Sequence, residues 1–139
     1  MANTIYDAYL EAEVLSAAPV KLVTILYRAA IDCVGAARLH LKAGAIRERS
    51  RQITKASEII RELTRSLDHS QGGEISRSLA ELYAYMQAQL IEANAQQIDP
   101  PLAEVEKLLS TLLEAWRAAV SVTRPALVEP EYAPVSCTY

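Results

Sequence analysis

Phenylalanine is absent from this chain of 139 residues, glycine occurs four times, cysteine twice and tryptophan once. With glycine scarce and alanine and leucine abundant, the composition favours helix. Two cysteines make no disulfide framework. Cys33 falls on an apolar stripe and reads as a small buried hydrophobe, while Cys137 reads as a loose thiol near the end of the chain. An excess of positive charge is missing as well. The net charge of -3 argues against nucleic acid as the main partner, because phosphate binding needs a basic surface. No apolar run approaches the roughly 20 residues that span a bilayer, so no membrane insertion is expected. The front of the chain carries Asp7, Glu11 and Glu13 in place of a basic n-region, which is unlike a secretory signal. The expected compartment is the cytosol.

What is present is helical period. From about Pro19 to Ala43, Leu22, Ile25, Leu26, Ala29, Ala30, Cys33, Val34, Ala37 and Leu41 form a wide stripe. Val20, Val23, Tyr27 and Ile31 lie beside it, so this helix needs burial on more than one side. Pro19 suits a first helical position, and Gly44 a helix end. A second pattern, about Ala45 to Leu67, turns Ile46, Ile53, Ala56, Ile59, Ile60, Leu63 and Leu67 inward. Its other face holds Arg47, Arg49, Arg51, Lys55, Arg61 and Arg65, read as a solvated face in preference to a binding patch. After a turn at Gly72 and Gly73, a third pattern runs to about Gln97 through Ile75, Leu79, Leu82, Tyr83, Met86, Leu90 and Ala93. Asp99 is placed to cap a fourth, opened by Pro100 and Pro101 and striped by Leu102, Val105, Leu108, Leu109, Leu112, Leu113, Trp116 and Val120. Short links imply an all-α, antiparallel up-down four-helix bundle. Asn94 is expected to bond a neighbouring helix, and Trp116 to close one end of the core.

Two flanking segments complete the organisation. Residues 1–18 carry Ile5, Tyr6, Tyr9 and Leu10 at helical spacing, a short amphipathic segment that is marginal alone and needs a surface to lie on. It reads equally as a displaceable lid or as a permanent fifth helix. Residues 19–122 form the bundle, and residues 123–139, broken by Pro125, Pro130 and Pro134, form an extended or disordered tail.

No catalytic or metal constellation accompanies these helices. A di-metal bundle needs Glu-x-x-His pairs, but Ala37 and Ser66 stand three residues before His40 and His69. No Gly-rich phosphate loop or nucleophile elbow occurs. His40 in "HLKAG" faintly resembles an exposed phosphotransfer histidine, the alternative reading, but a place in the last turn more simply suits a C-terminal cation. Neither an enzyme nor a cofactor is expected, and spare apolar surface points to binding a partner helix.

One longer stretch is more specific. "SLDHSQGGEISRSLAELYAYMQAQLIEAN", followed by "LAEVEKLLSTLLEAW", resembles the flagellin-specific flagellar secretion chaperones (FliS-like). The likeness rests on Ser66, Leu67, Asp68, Gly72, Gly73, Glu74, Ile75, Leu79, Leu82, Tyr83, Tyr85, Met86, Leu90, Ala93 and Asn94. Glu114, Ala115 and Trp116, the Tyr6 and Tyr9 pair, and Leu22, Val23, Leu26 and Tyr27 extend it over everything but the tail. Ala18, Arg28, Ala29 and His69 depart from the family pattern. The resemblance implies a cytosolic export chaperone, a monomer or weak homodimer. It would bind the disordered C-terminal segment of flagellin, prevent premature polymerisation and meet an export gate component. Expected groove residues are Leu22, Val23, Leu26, Tyr27, Leu79, Leu82, Tyr83 and Met86, with bundle core as the rival role for Leu26, Leu79 and Met86. Expected lid residues are Ile5, Tyr6, Tyr9 and Leu10.

Overall fold

The computed structural model describes the backbone of residues 19–136 and the side-chain surroundings of residues 21–119, Gln71 apart. Four helices follow one another: α1 Pro19–Ala43, α2 Ile46–Arg65, α3 His69–Gln96 and α4 Pro100–Ser136. Each helix packs on two others, in the ring α1, α2, α3, α4, so α1 and α3 face each other across a diagonal. The cross-links fix the directions. Arg38 meets Glu106 while Tyr27 meets Trp116, and Arg49 meets Asn94 while Ser57 meets Gln87. Neighbours are therefore antiparallel, as their short links require.

Small side chains decide where α1 sits. Ala29, Ala30, Cys33 and Ala37 are buried along it, and they let α2 and α4 approach closely. Gly35 is part of the same fit, because a Cβ there would lie 3.3 Å from Glu106 Oε2. Ile53, Ala56, Ile60 and Leu63 of α2, and Leu102, Val105, Leu109 and Leu113 of α4, complete the core with α1. Burying each larger aliphatic chain stabilises the fold by about 1.5–3 kcal/mol. Met86, Leu90 and Ala93 come in from α3, which packs less closely than α1 does.

The helix ends explain several sequence signals. Gly44 has φ +76°, Ala45 N–H donates to His40 O at 2.9 Å and Gly44 N–H to Leu41 O at 3.2 Å, which is a Schellman end. Asp68 organises the turn before α3: its carboxylate accepts from the N–H and hydroxyl of Ser70, and its carbonyl from the Ser76 hydroxyl. Gly73, at φ 53° and ψ −118°, interrupts α3 one turn in, a conformation that side-chain-bearing residues avoid. Gly72 keeps space open, since a Cβ there would fall 1.9 Å from Ser76 Oγ. At the far end of α3, Gln97 stands at φ 56° where glycine is the usual residue.

Four expectations are corrected. Asp99 precedes α4 and its carbonyl accepts Ala103 N–H, but its carboxylate pairs with Arg38 at 2.8 and 3.0 Å instead of capping. Both Asp99 oxygens are turned to Arg38, and Pro101 removes one of the two N–H groups that a capping side chain uses. Arg38 reaches Glu106 as well, at 2.7 Å, and ties α1 to α4. Ile46 and Ile75, placed on inner stripes, are 57% and 71% exposed, because each stands near a helix start beyond the core. Arg49, placed on the solvated face, is buried. It lies one turn before Ile53 on the inner stripe. The backbone of α4 is helical to Ser136, with its side chains described as far as residue 119. The lid residues Ile5, Tyr6, Tyr9 and Leu10 lie outside the described residues.

Backbone geometry predicts opposite effects for two substitutions. Gln97→Gly should stabilise the bundle by up to about 1 kcal/mol, by relieving a left-handed residue. Gly73→Ala should cost about 1–3 kcal/mol. Urea unfolding of both variants checks the pair, and equal midpoints would contradict the assignment.

Candidate functional site

The eight expected groove residues gather at one end of the bundle, where α1 begins and α4 leaves the core. They divide into two layers. Leu26, Tyr27, Tyr83 and Met86 are buried, and Tyr27 and Met86 have no accessible surface at all (0% each). They cannot touch a partner while the bundle is closed. Leu22, Val23, Leu79 and Leu82 are half-buried and pack on the core from outside. Periodicity alone does not separate these layers, since Tyr27 and Val23 share a face one turn apart.

Beneath the outer layer lies a polar bond across the diagonal. The hydroxyls of Tyr27 on α1 and Tyr83 on α3 are 2.5 Å apart, either one serving as donor. Trp116 of α4 lies beside the Tyr27 hydroxyl. The bond joins α1 to α3 beside Trp116 of α4, and each tyrosine tip has the partner that burial demands. Burial pushes the Tyr27 hydroxyl above its ordinary 10.0, although its bond to Tyr83 and the neighbouring Trp116 oppose the rise. Burial, then the bond to Tyr27, push Tyr83 strongly up.

A concavity runs between α2 and α3, a groove of about 420 Å³. Ile53, Ser57 and Arg61 line one wall, and Leu90, Ile91 and Asn94 the other. Ser57 Oγ donates to Gln87 Oε1 at 2.7 Å, and Gln87 Nε2 returns a bond to the Ser57 carbonyl at 2.9 Å. At the far end, Asn94 Oδ1 accepts from Arg49 Nε and Ser50 Oγ, each at 3.1 Å. Sequence reading anticipated the bond of Asn94 but missed Arg49, whose spacing from Ile53, Ala56 and Ile60 was the available signal. On the opposite edge of α3, Tyr85 Oη and Gln89 Nε2 donate to Glu104 of α4.

Alkaline pH tests the tyrosine layer. A tyrosine whose folded pKa is raised contributes stability that is whole below its unfolded value of 10.0 and is lost as pH rises through the folded value. Unfolding free energy from this pair should hold steady to about pH 9 and fall above about 10, less steeply in Tyr83→Phe. At neutral pH, Tyr83→Phe and Tyr27→Phe should each cost about 1–3 kcal/mol, because each leaves the other's buried hydroxyl without its partner. Denaturant melts with no loss in Tyr27→Phe would contradict the arrangement.

Comparison with known proteins follows this geometry. The family model described as flagellar protein FliS matches residues 1–123. The chain is 39% identical over 108 residues to the flagellar secretion chaperone FliS of Salmonella typhimurium, covering 77% of this chain and 80% of that one. It is 36% identical over 107 residues to the flagellar secretion chaperone FliSB of Pseudomonas aeruginosa, covering 77% and 85%. Against FliS of Bacillus subtilis the identity is 29% over 119 residues, covering 86% and 88%. A match that runs from the first residue to the upper part of α4, with relatives aligned over most of their own length, has one reading: the chain belongs to the FliS family of flagellar secretion chaperones.

Proposed function

We propose that this export chaperone binds the disordered C-terminal segment of flagellin in the cytosol, prevents its premature polymerisation and delivers it to the flagellar type III export apparatus. Membership of a family of flagellar secretion chaperones is the observation that carries this reading. The half-buried outer layer supports it, because Leu22, Val23, Leu79 and Leu82 offer apolar surface at a single end. A disordered client that folds as it binds buries such surface, yet loses part of the gain to its own ordering. The result is a complex that holds and still releases. Leu26, Tyr27, Tyr83 and Met86 form the floor of the groove, and the amphipathic segment with Ile5, Tyr6, Tyr9 and Leu10 acts as a lid that the client displaces. It acts by binding, without catalysis or a cofactor. Handover to an export gate component completes its task.

Titration calorimetry of the full chain against the C-terminal segment of flagellin from its own source tests the reading. Saturable one-to-one binding is expected, with a negative heat-capacity change and a gain of helix by circular dichroism. No complex, with the bundle shown to be folded, would sink it. Deleting residues 2–15 should leave the affinity unchanged or tighten it; a marked loss would make that segment part of the site instead of its lid.

A further inference from the structure

Helix α3 is not fastened evenly along its length. Its second half buries Met86, Leu90 and Ala93. There Gln87 and Asn94 bond α2, while Tyr85 and Gln89 bond Glu104 of α4. Residues 74–82 differ. They bury no large apolar side chain fully, since Ile75 is exposed and Leu79 and Leu82 are half-buried. Among the described residues, the one side-chain hydrogen bond of this stretch runs backwards, from the Ser76 hydroxyl to the Asp68 carbonyl at 3.1 Å. It reaches no other helix.

The stretch is loosely joined in front as well. Gly73, at φ 53° and ψ −118°, breaks the helical path immediately before it. A helix this short does not hold its own hydrogen bonds in water once it leaves its packing surface. Tyr83 is thus the first side chain along α3 that is both buried and bonded to another helix, through the hydroxyl of Tyr27. What lies beneath follows from direction. Helices α1 and α3 both run against α2 and so run parallel, which sets Val23 level with Leu79, one turn before the tyrosine pair.

We infer that residues 74–82 form an arm that unwinds and refolds while the rest of the bundle stays folded, and that the Tyr27–Tyr83 bond is the latch where unwinding stops. Opening bares the apolar turn of α1 around Val23 and leaves Met86, Leu90 and Ala93 enclosed. Passing the latch would strand two hydroxyls in an apolar layer, a cost that the half-buried leucines before it do not carry. The arm is a property of the free chain, independent of which client it meets.

Residue-resolved hydrogen exchange by NMR, on the full chain in urea below its unfolding transition, tests both parts. Each helical amide bonds the carbonyl four residues back, so unwinding of residues 74–82 frees the amides of residues 78–86. These should exchange faster than the amides of residues 87–93, and with little dependence on urea, as a local opening requires. Tyr83→Phe and Tyr27→Phe each remove the latch and should move the border by one turn. Amides of residues 87–90 should then exchange about tenfold faster relative to those of residues 91–93. Asn94→Ala cuts a tether at the other end of α3 and should leave the border in place. Amides of residues 78–86 as protected as those of residues 91–93 in the parent would remove the arm, with no variant needed. A border unmoved in both tyrosine variants, or moved equally by Asn94→Ala, would remove the latch.

Discussion

The closeness of α1 to its neighbours governs the rest of the molecule. Ala29, Ala30, Cys33 and Ala37 are small enough for α2 and α4 to pack tightly against α1. That contact is almost wholly apolar towards α2 and is fastened by Arg38 towards α4. The remaining helix, α3, then has no equally close partner. It buries Tyr83, Met86, Leu90 and Ala93, meets Tyr27 across the diagonal, and is otherwise joined by polar bonds: Asn94 with Arg49 and Ser50, Gln87 with Ser57, Tyr85 and Gln89 with Glu104. Each such bond contributes only about 0.5–1.5 kcal/mol, so α3 is held by a narrower apolar stripe and several small tethers, while α1 is held by a wider area on two sides.

This division suits a protein that must grip a client and let it go. Apolar surfaces that were fully satisfied within the bundle would leave nothing to offer. Here the sparse side of the ring carries the groove between α2 and α3. Regions with few buried apolar contacts also open at lower free energy, which eases the insertion of an incoming helix. The hydrogen-bonded tyrosines limit the opening, because parting them exposes two polar tips in an apolar layer.

Much of the architecture was legible because it depends on period and on turn chemistry. The alanine-rich stripe of α1, the Gly44 end and the bond of Asn94 all follow from local pattern. The motif around Ser66 to Gly73 has a physical basis in the structure: Asp68 ties the turn, Gly72 leaves room for Ser76, and Gly73 takes a backbone conformation that other residues resist. Illegible features were those decided by tertiary distance. Whether Tyr27 faces a groove or a core depends on how far α3 stands away, which no single stripe encodes. Arg49 looked like surface because arginine usually is, although its register with Ile53 and Ile60 lay inward. Ile46 and Ile75 had the right register but stand too near the helix starts to be covered.

Hydrogen exchange by mass spectrometry, on the full chain with and without the flagellin segment, tests the central claim that α3 is the lightly held helix and the one the client stabilises. In the free protein the amides of α3 should exchange faster than those in the middle of α1, and on binding α3 should gain the most protection, together with the facing turns of α2. An α3 as protected as α1 before binding, or protection gained elsewhere while α3 stays unchanged, would contradict this account.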